Sequence, residues 1–151
     1  MPSFGKSSRA RLDTCDPRLQ EIMDEAIKQI DFSVLCGYRS ETEQNQAFAS
    51  GNSKLKYPQS KHNSMPSKAV DIAPWPIDWN DLGRFRKLAE TVKSIAAERG
   101  IDIEWGGDWT SFQDMPHFEL VEATSQDLLP SEPTDEDITV SLEEIEKQLL
   151  N

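Results

Sequence analysis

Leu19, Ile22, Met23, Ala26, Ile27 and Ile30 recur at steps of three and one, the spacing of a helix that buries one face. Asp16-Pro17 stands just ahead of them, an N-cap carboxylate followed by proline at the first helical position. A second stripe, Leu82, Phe85, Leu88, Ala89, Val92, Ile95 and Ala96, predicts a helix over 81–99 with Gly100 as its C-cap. Between them, Ser40 and Glu43 have the spacing of a capping box and open a helix that Gly51 stops. Short β-rich runs occupy 32–38, 70–73, 101–105 and 117–120, and Gly106-Gly107 supplies a turn between the last two. Residues 52–66 are rich in Ser, Asn, Lys and Pro and read as irregular. The pattern predicts an α+β domain: a small antiparallel sheet with packed helices.

After Leu120 the pattern thins. Residues 129–137 are Pro, Ser and acid, a linker composition, and Ser141-Leu142-Glu143-Glu144 opens a last amphipathic helix over 141–150. That helix is too short to stand alone in water. The expected division is a domain over 1–124 and an acidic linker with a short C-terminal helix over 125–151. Charge follows the same division. Of 27 acidic and 16 basic residues, nine acids and one base fall in 121–151, leaving eighteen and fifteen in the body. The net charge of −11 therefore belongs mostly to the tail, and the body carries no nucleic-acid footprint. No apolar run reaches the length of a membrane span. The first eleven residues are polar and basic, so no secretory signal peptide is expected and the protein is expected to begin in the cytoplasm. Cys15 and Cys36 are too few for a disulfide scaffold and read as reduced thiols.

The chain has two histidines, and each lies in a short motif with a carboxylate. His62 precedes Ala69-Val70-Asp71, and His117 follows Asp114-Met115-Pro116. Two His and one Asp make a three-ligand set that leaves a fourth position for water, the layout of a catalytic zinc. Asp71 sits within an apolar strand, where a carboxylate is costly unless it is paired or binds a metal. Asp114 lies where a general base for metal-assisted hydrolysis can stand. Strand alternation puts Glu119 on the same face as His117, able to orient it from behind. Each residue alone has a plainer reading: a hydrogen-bonded structural histidine, or a buried Asp paired with Arg. Their concentration in two motifs favours a site. Arg39 reads equally as a surface cation or as a fork aimed at a substrate oxyanion. Trp75, Trp79, Trp105 and Trp109 are either core or cleft wall, with Trp109, after Gly106-Gly107-Asp108, the best candidate for the wall.

Ser60-x-His62, Ala69-x-Asp71, Trp105-Gly106-Gly107-Asp108-Trp109 and Asp114-x-Pro116-His117-Phe118-Glu119-Leu120 together resemble the zinc peptidases of the D-Ala-D-Ala carboxypeptidase group. Within that group they resemble the phage endolysins with L-alanyl-D-glutamate peptidase activity. Phe4-Gly5-Lys6-Ser7-Ser8, Arg11-Leu12 and Gly37-Tyr38-Arg39-Ser40 are similar to that branch too. The resemblance spans Phe4 to about Leu120. It implies one zinc per chain on the sheet face, bound by His62, Asp71 and His117. Asp114 would be the general base and acid, and Arg39 would polarise the scissile carbonyl. Ser60, Trp109 and Tyr38 are the expected substrate contacts. The implied partner is the stem peptide of peptidoglycan, met by a monomer without nucleic acid or membrane insertion. Such an enzyme is held in the host cytoplasm until it is released to the wall.

One departure stands out: His62 and Asp71 are nine residues apart where the family has seven, with Met65-Pro66 inserted and Ser67 in place of glycine. An insertion between two anchored ends costs little, so its expected effect falls on the cleft wall rather than on metal binding. Two other functions share the sequence features. One is a D,D- or L,D-carboxypeptidase trimming wall peptides. The other is a non-catalytic wall- or partner-binding module, against which the presence of Asp114 argues.

Overall fold

The computed structural model describes residues 2–122. The boundary expected near 124 and the last helix over 141–150 lie outside the described residues. Helices α1 (Lys6–Leu12), α2 (Pro17–Ala26), α3 (Glu41–Ala49) and α4 (Leu82–Glu98) accompany strands β1 (Phe32–Cys36), β2 (Ala69–Pro74), β3 (Ile103–Trp105) and β4 (His117–Leu120). The strands form one sheet in the order β1-β2-β4-β3, every pair antiparallel. None of the described helices is long and apolar enough to cross a membrane.

The caps and stripes read from the sequence place three helices. Asp16 caps α2 by accepting from the Arg18 N–H, Ser40 and Glu43 close the capping box of α3, and Asp81 caps α4 by accepting from the Arg84 N–H. α2 ends at Ala26, short of the predicted stripe, because the chain must turn to enter β1 at Phe32. Ile27 stays buried and Ile30 still packs on the core.

Core side chains from α2 and α4, among them Leu19, Ile22, Leu88 and Val92, meet Val34, Val70, Ile72, Phe118 and Leu120 from one face of the sheet. Strand alternation turns Asp71, His117 and Glu119 to the other face. One layer of the fold is thus a conventional apolar core, and the opposite sheet face is left for polar work.

The sequence pattern did not reveal α1. Its buried residues are only Ser8 and Leu12, too few for a stripe. What holds it is polar: the Ser8 hydroxyl accepts from the Val34 N–H at 2.9 Å, and the Arg11 guanidinium donates to the Val34 carbonyl at 3.1 Å. β1 is an edge strand, and α1 satisfies backbone groups that an open edge would leave exposed.

Candidate metal centre

Register creates the site. Asp71 on β2 lies directly opposite His117 on β4, and residues so paired have Cβ atoms roughly 4.5–5.5 Å apart on one face. His117 Nδ1 comes within 3.1 Å of Asp71 Oδ1. His62 arrives from a 3₁₀ turn, Lys61–Asn63, that Ser60 caps through the His62 N–H. Its Nε2 stands 3.2 Å from Asp71 Oδ1 and 3.3 Å from His117 Nδ1. Three ligand atoms therefore form a nearly equilateral triangle at the floor of a cleft of about 700 Å³. Around a metal with bonds of about 2.0–2.1 Å, a tetrahedral edge is about 3.3–3.4 Å. The triangle has that size.

The outer nitrogens decide what the triangle holds. His62 Nδ1 lies 2.7 Å from the Gly37 carbonyl, which only accepts, so the ring proton sits on Nδ1 and Nε2 presents its lone pair inward. His117 Nε2 donates to Glu119 Oε1 at 2.8 Å, which leaves Nδ1 bare. Burial opposes the charge of Glu119, but His117 and Lys61 hold its carboxyl below the usual range. Two imidazole lone pairs and a carboxylate then face one another, an arrangement that needs a cation at its centre. Without a metal, that cation is a proton. Burial works against it, yet Asp71 pushes the pKa of His62 up to about 10. Burial likewise favours a neutral Asp71, and the two imidazoles still hold its carboxyl far below the usual range. A metal replaces the proton, so binding releases it.

Backbone geometry sets the anchors. A Cβ at Gly37 would run into the Arg11 carbonyl and the Thr14 hydroxyl, so only glycine brings this carbonyl under His62. At Gly106 a Cβ would strike the Asp114 carbonyl, and the Asp114 N–H donates to the Gly106 carbonyl at 3.0 Å. The short turn of glycines thus fixes where Asp114 emerges.

Asp114 Oδ2 is 3.9 Å from His117 Nδ1, beside the ligand triangle and outside it. Burial, and then repulsion from Asp71, raise its carboxyl above the ordinary range, which suits a group that holds and returns a proton. Arg39 lines the same cleft with Nη2 at 3.4 Å from Asp71 Oδ2 and Nη1 at 3.0 Å from Gln44 Oε1. Ser60 and Trp109 also line it, the Trp109 ring 5.1 Å from that of His117. Tyr38 does not. It borders a smaller neighbouring depression of about 390 Å³, with its backbone N–H on the Thr14 hydroxyl. Of the remaining tryptophans, Trp79 reaches the cleft while stacked on Phe85, Trp105 is core with its N–H on the Met115 carbonyl, and Trp75 is exposed.

Three partners went unseen in the sequence. Gln44, the one buried residue of α3, is saturated: its amide donates to Ser53 Oγ and the Leu55 carbonyl and accepts from Arg39 and Asn63. Asn63 also donates to the Arg39 carbonyl. Lys61 donates to the Leu120 carbonyl at 2.6 Å and pairs with Glu119 at 3.2 Å, behind His117. The one available signal was a well-capped α3 with no apolar stripe, so that something polar had to anchor it. The inserted Met65-Pro66 does not reach the cleft. Met65 is exposed, while Ser67 is buried and its hydroxyl donates to the Ala69 carbonyl at 2.6 Å, with the Gly37 carbonyl 3.3 Å away. None of Met65, Pro66 and Ser67 is among the residues that line the cleft. The cysteines are free thiols, and burial, then Cys36, pushes Cys15 up to about 12, out of nucleophilic range.

An α+β domain that presents three ligands on a sheet face, with the fourth side open to a cleft and a carboxyl beside it, has the design of a metal-dependent hydrolase. Comparison with known proteins narrows this. The family model described as phage L-alanyl-D-glutamate peptidase matches residues 2–121. An L-alanyl-D-glutamate peptidase of Escherichia phage T5 is 35% identical over 126 residues, covering 80% of this chain and 90% of its own. The peptidoglycan L-alanyl-D-glutamate endopeptidase CwlK of Bacillus subtilis is 27% identical over 111 residues, 64% of each chain. The solved L-Ala D-Glu endopeptidase ChiX of Serratia marcescens superposes with a TM-score of 0.68 at 31% identity, covering 78% of this chain and 89% of that one. The chain belongs to the phage L-alanyl-D-glutamate peptidase family.

Removing the carboxylate behind His117 tests the site from outside the ligand set. Glu119→Ala is expected to fold but to bind metal roughly 10–100-fold more weakly, the usual cost of losing such a partner. Competition with a chromophoric chelator measures it, and unchanged affinity would show that Glu119 does not orient the ring.

Proposed function

We propose that this protein is a zinc-dependent peptidoglycan hydrolase of phage lysis that cuts the L-alanyl–D-glutamyl bond of the stem peptide. The observation that carries it is the triangle of His62, Asp71 and His117 on the cleft floor, with Asp114 adjacent and not part of it. Two nitrogens and one oxygen at tetrahedral spacing, with one side free, suit zinc. Bound there, zinc would supply a Lewis acid and make a water acidic at neutral pH. The relatives named for L-alanyl-D-glutamate cleavage supply the bond.

The chain's own groups divide the remaining work. Asp114 accepts a proton from the attacking water and returns it to the departing amine nitrogen, so that the amide yields one carboxylic acid and one amine. Arg39, steadied by Gln44, donates to the scissile carbonyl as negative charge grows on its oxygen. Ser60 holds the His62 turn and forms part of the cleft surface, and Trp109 supplies an apolar wall beside His117.

Digestion of purified cell wall, read by mass, tests the bond. New amino termini at D-glutamate are expected. Loss of single terminal residues would establish the carboxypeptidase reading instead, and an unaltered wall would leave a binding module. Asp114→Asn is expected to retain metal and lose about two to four orders of magnitude in kcat; near-normal turnover by the metal-replete variant rules the base role out. For Arg39→Lys the expected loss is about 2.7–4 kcal/mol of transition-state stabilisation, seen in kcat. A rise in KM alone would reassign Arg39 to plain substrate binding.

A further inference from the structure

Among the described residues, three cations line the cleft: Arg39, Lys61 and Lys54. The first two are committed, Arg39 to Asp71 and Gln44, Lys61 to Glu119 and the Leu120 carbonyl. Lys54 has no carboxylate partner among the described residues. Its ammonium stands 5.3 Å above the centre of the Phe112 ring, two positions before Asp114. Its root is nonetheless fixed. Ser53 Oγ and the Leu55 carbonyl, on either side of it, both accept from the Gln44 amide, at 3.0 and 2.6 Å. The Leu55 N–H closes the turn onto Ser53 Oγ at 3.1 Å. Gln44 is also the residue that holds Arg39. One buried amide therefore ties the residues on either side of the exposed Lys54 to the guanidinium at the metal site.

We propose that Lys54 is a specificity residue that binds a carboxylate on the glutamyl side of the scissile bond. This rests on the function proposed above. An alanyl residue within a chain carries a methyl group and no charge. A glutamyl residue joined through its nitrogen and one carboxyl keeps the other carboxylate, and a residue beyond it can carry a further one. A lysine held in the cleft without an acidic partner complements such an anion, and the Phe112 face keeps the ammonium in the cleft until the anion arrives.

The test pairs enzyme variants with substrate variants. Wild type, Lys54→Met and Lys54→Arg, each loaded with metal, are assayed on three Ala–D-Glu peptides. One has free carboxylates, one is amidated at the glutamyl carboxylate, and one is amidated at the residue beyond. On the free peptide, Lys54→Met is expected to raise KM about tenfold, as for a charge-assisted hydrogen bond in a partly wet site, with kcat retained. Lys54→Arg should recover most of the affinity. On one amidated peptide, wild type and Lys54→Met should converge, and which peptide that is identifies the bound carboxylate. A penalty of equal size on all three peptides, or none on any, overturns the assignment. If wild type cuts no Ala–D-Glu bond at all, the function proposed above fails first and takes this subsite with it.

Discussion

Two imidazole lone pairs and a carboxylate within 3.3 Å of one another demand a positive charge among them. In a low-dielectric interior their mutual repulsion would otherwise push the groups apart or force protons onto them. The rest of the fold can be understood as what keeps the three in place against that repulsion. Antiparallel pairing of β2 and β4 puts Asp71 opposite His117. The Gly37 carbonyl and Glu119 hold the outer nitrogens, so neither ring can rotate its lone pair away. The apolar core on the far side of the sheet supplies the stability that such an arrangement costs.

A second layer of buried polar groups makes the cleft a rigid object rather than a gap between loops. Residues 50–60 contain no regular element, yet Gln44 ties Ser53 and Leu55 to α3, and Asn63 accepts from the Ser60 N–H in the His62 turn while donating to Gln44 and to the Arg39 carbonyl. Every polar atom of the Gln44 amide is used, which is the condition under which a buried network stabilises instead of destabilising. Arg39 shares that network, so one amide joins the guanidinium in the cleft to the loop that lines it.

Much of this was legible in the chain. The caps at Asp16 and Ser40 and the two apolar stripes locate α2, α3 and α4, because local chemistry and burial agree there. The sequence singled out His62, Asp71 and His117 because two histidines and a carboxylate inside an apolar strand fall in two short motifs, and the fold brings those three side chains together. α1 was not, since it is held by hydrogen bonds to a strand edge 23 and 26 residues away, which leave no periodicity. Gln44, Asn63 and Lys61 were missed for the same reason. A buried amide and a surface amide are identical in sequence, and only tertiary contacts tell them apart. Tyr38 shows the converse. Arg39 lines both the cleft and a neighbouring depression, whereas Tyr38, adjacent in sequence, borders the neighbouring depression alone.

The overall charge of −11 is a poor guide to what the cleft attracts. Asp71, Asp114 and Glu119 are matched in the cleft by Arg39, Lys54 and Lys61. A divalent cation at the triangle then leaves the cleft with a net positive charge of about two, in a concave site whose low-dielectric walls focus the field. Arg39 and Lys61 are engaged in holding carboxylates, so the excess is expressed at the metal and at Lys54. A cleft so charged would favour an anionic ligand although the body as a whole is close to neutral. The chain's acidity lies mostly in residues 121–151. Charge is partitioned along this sequence, and an average over the whole chain conceals it.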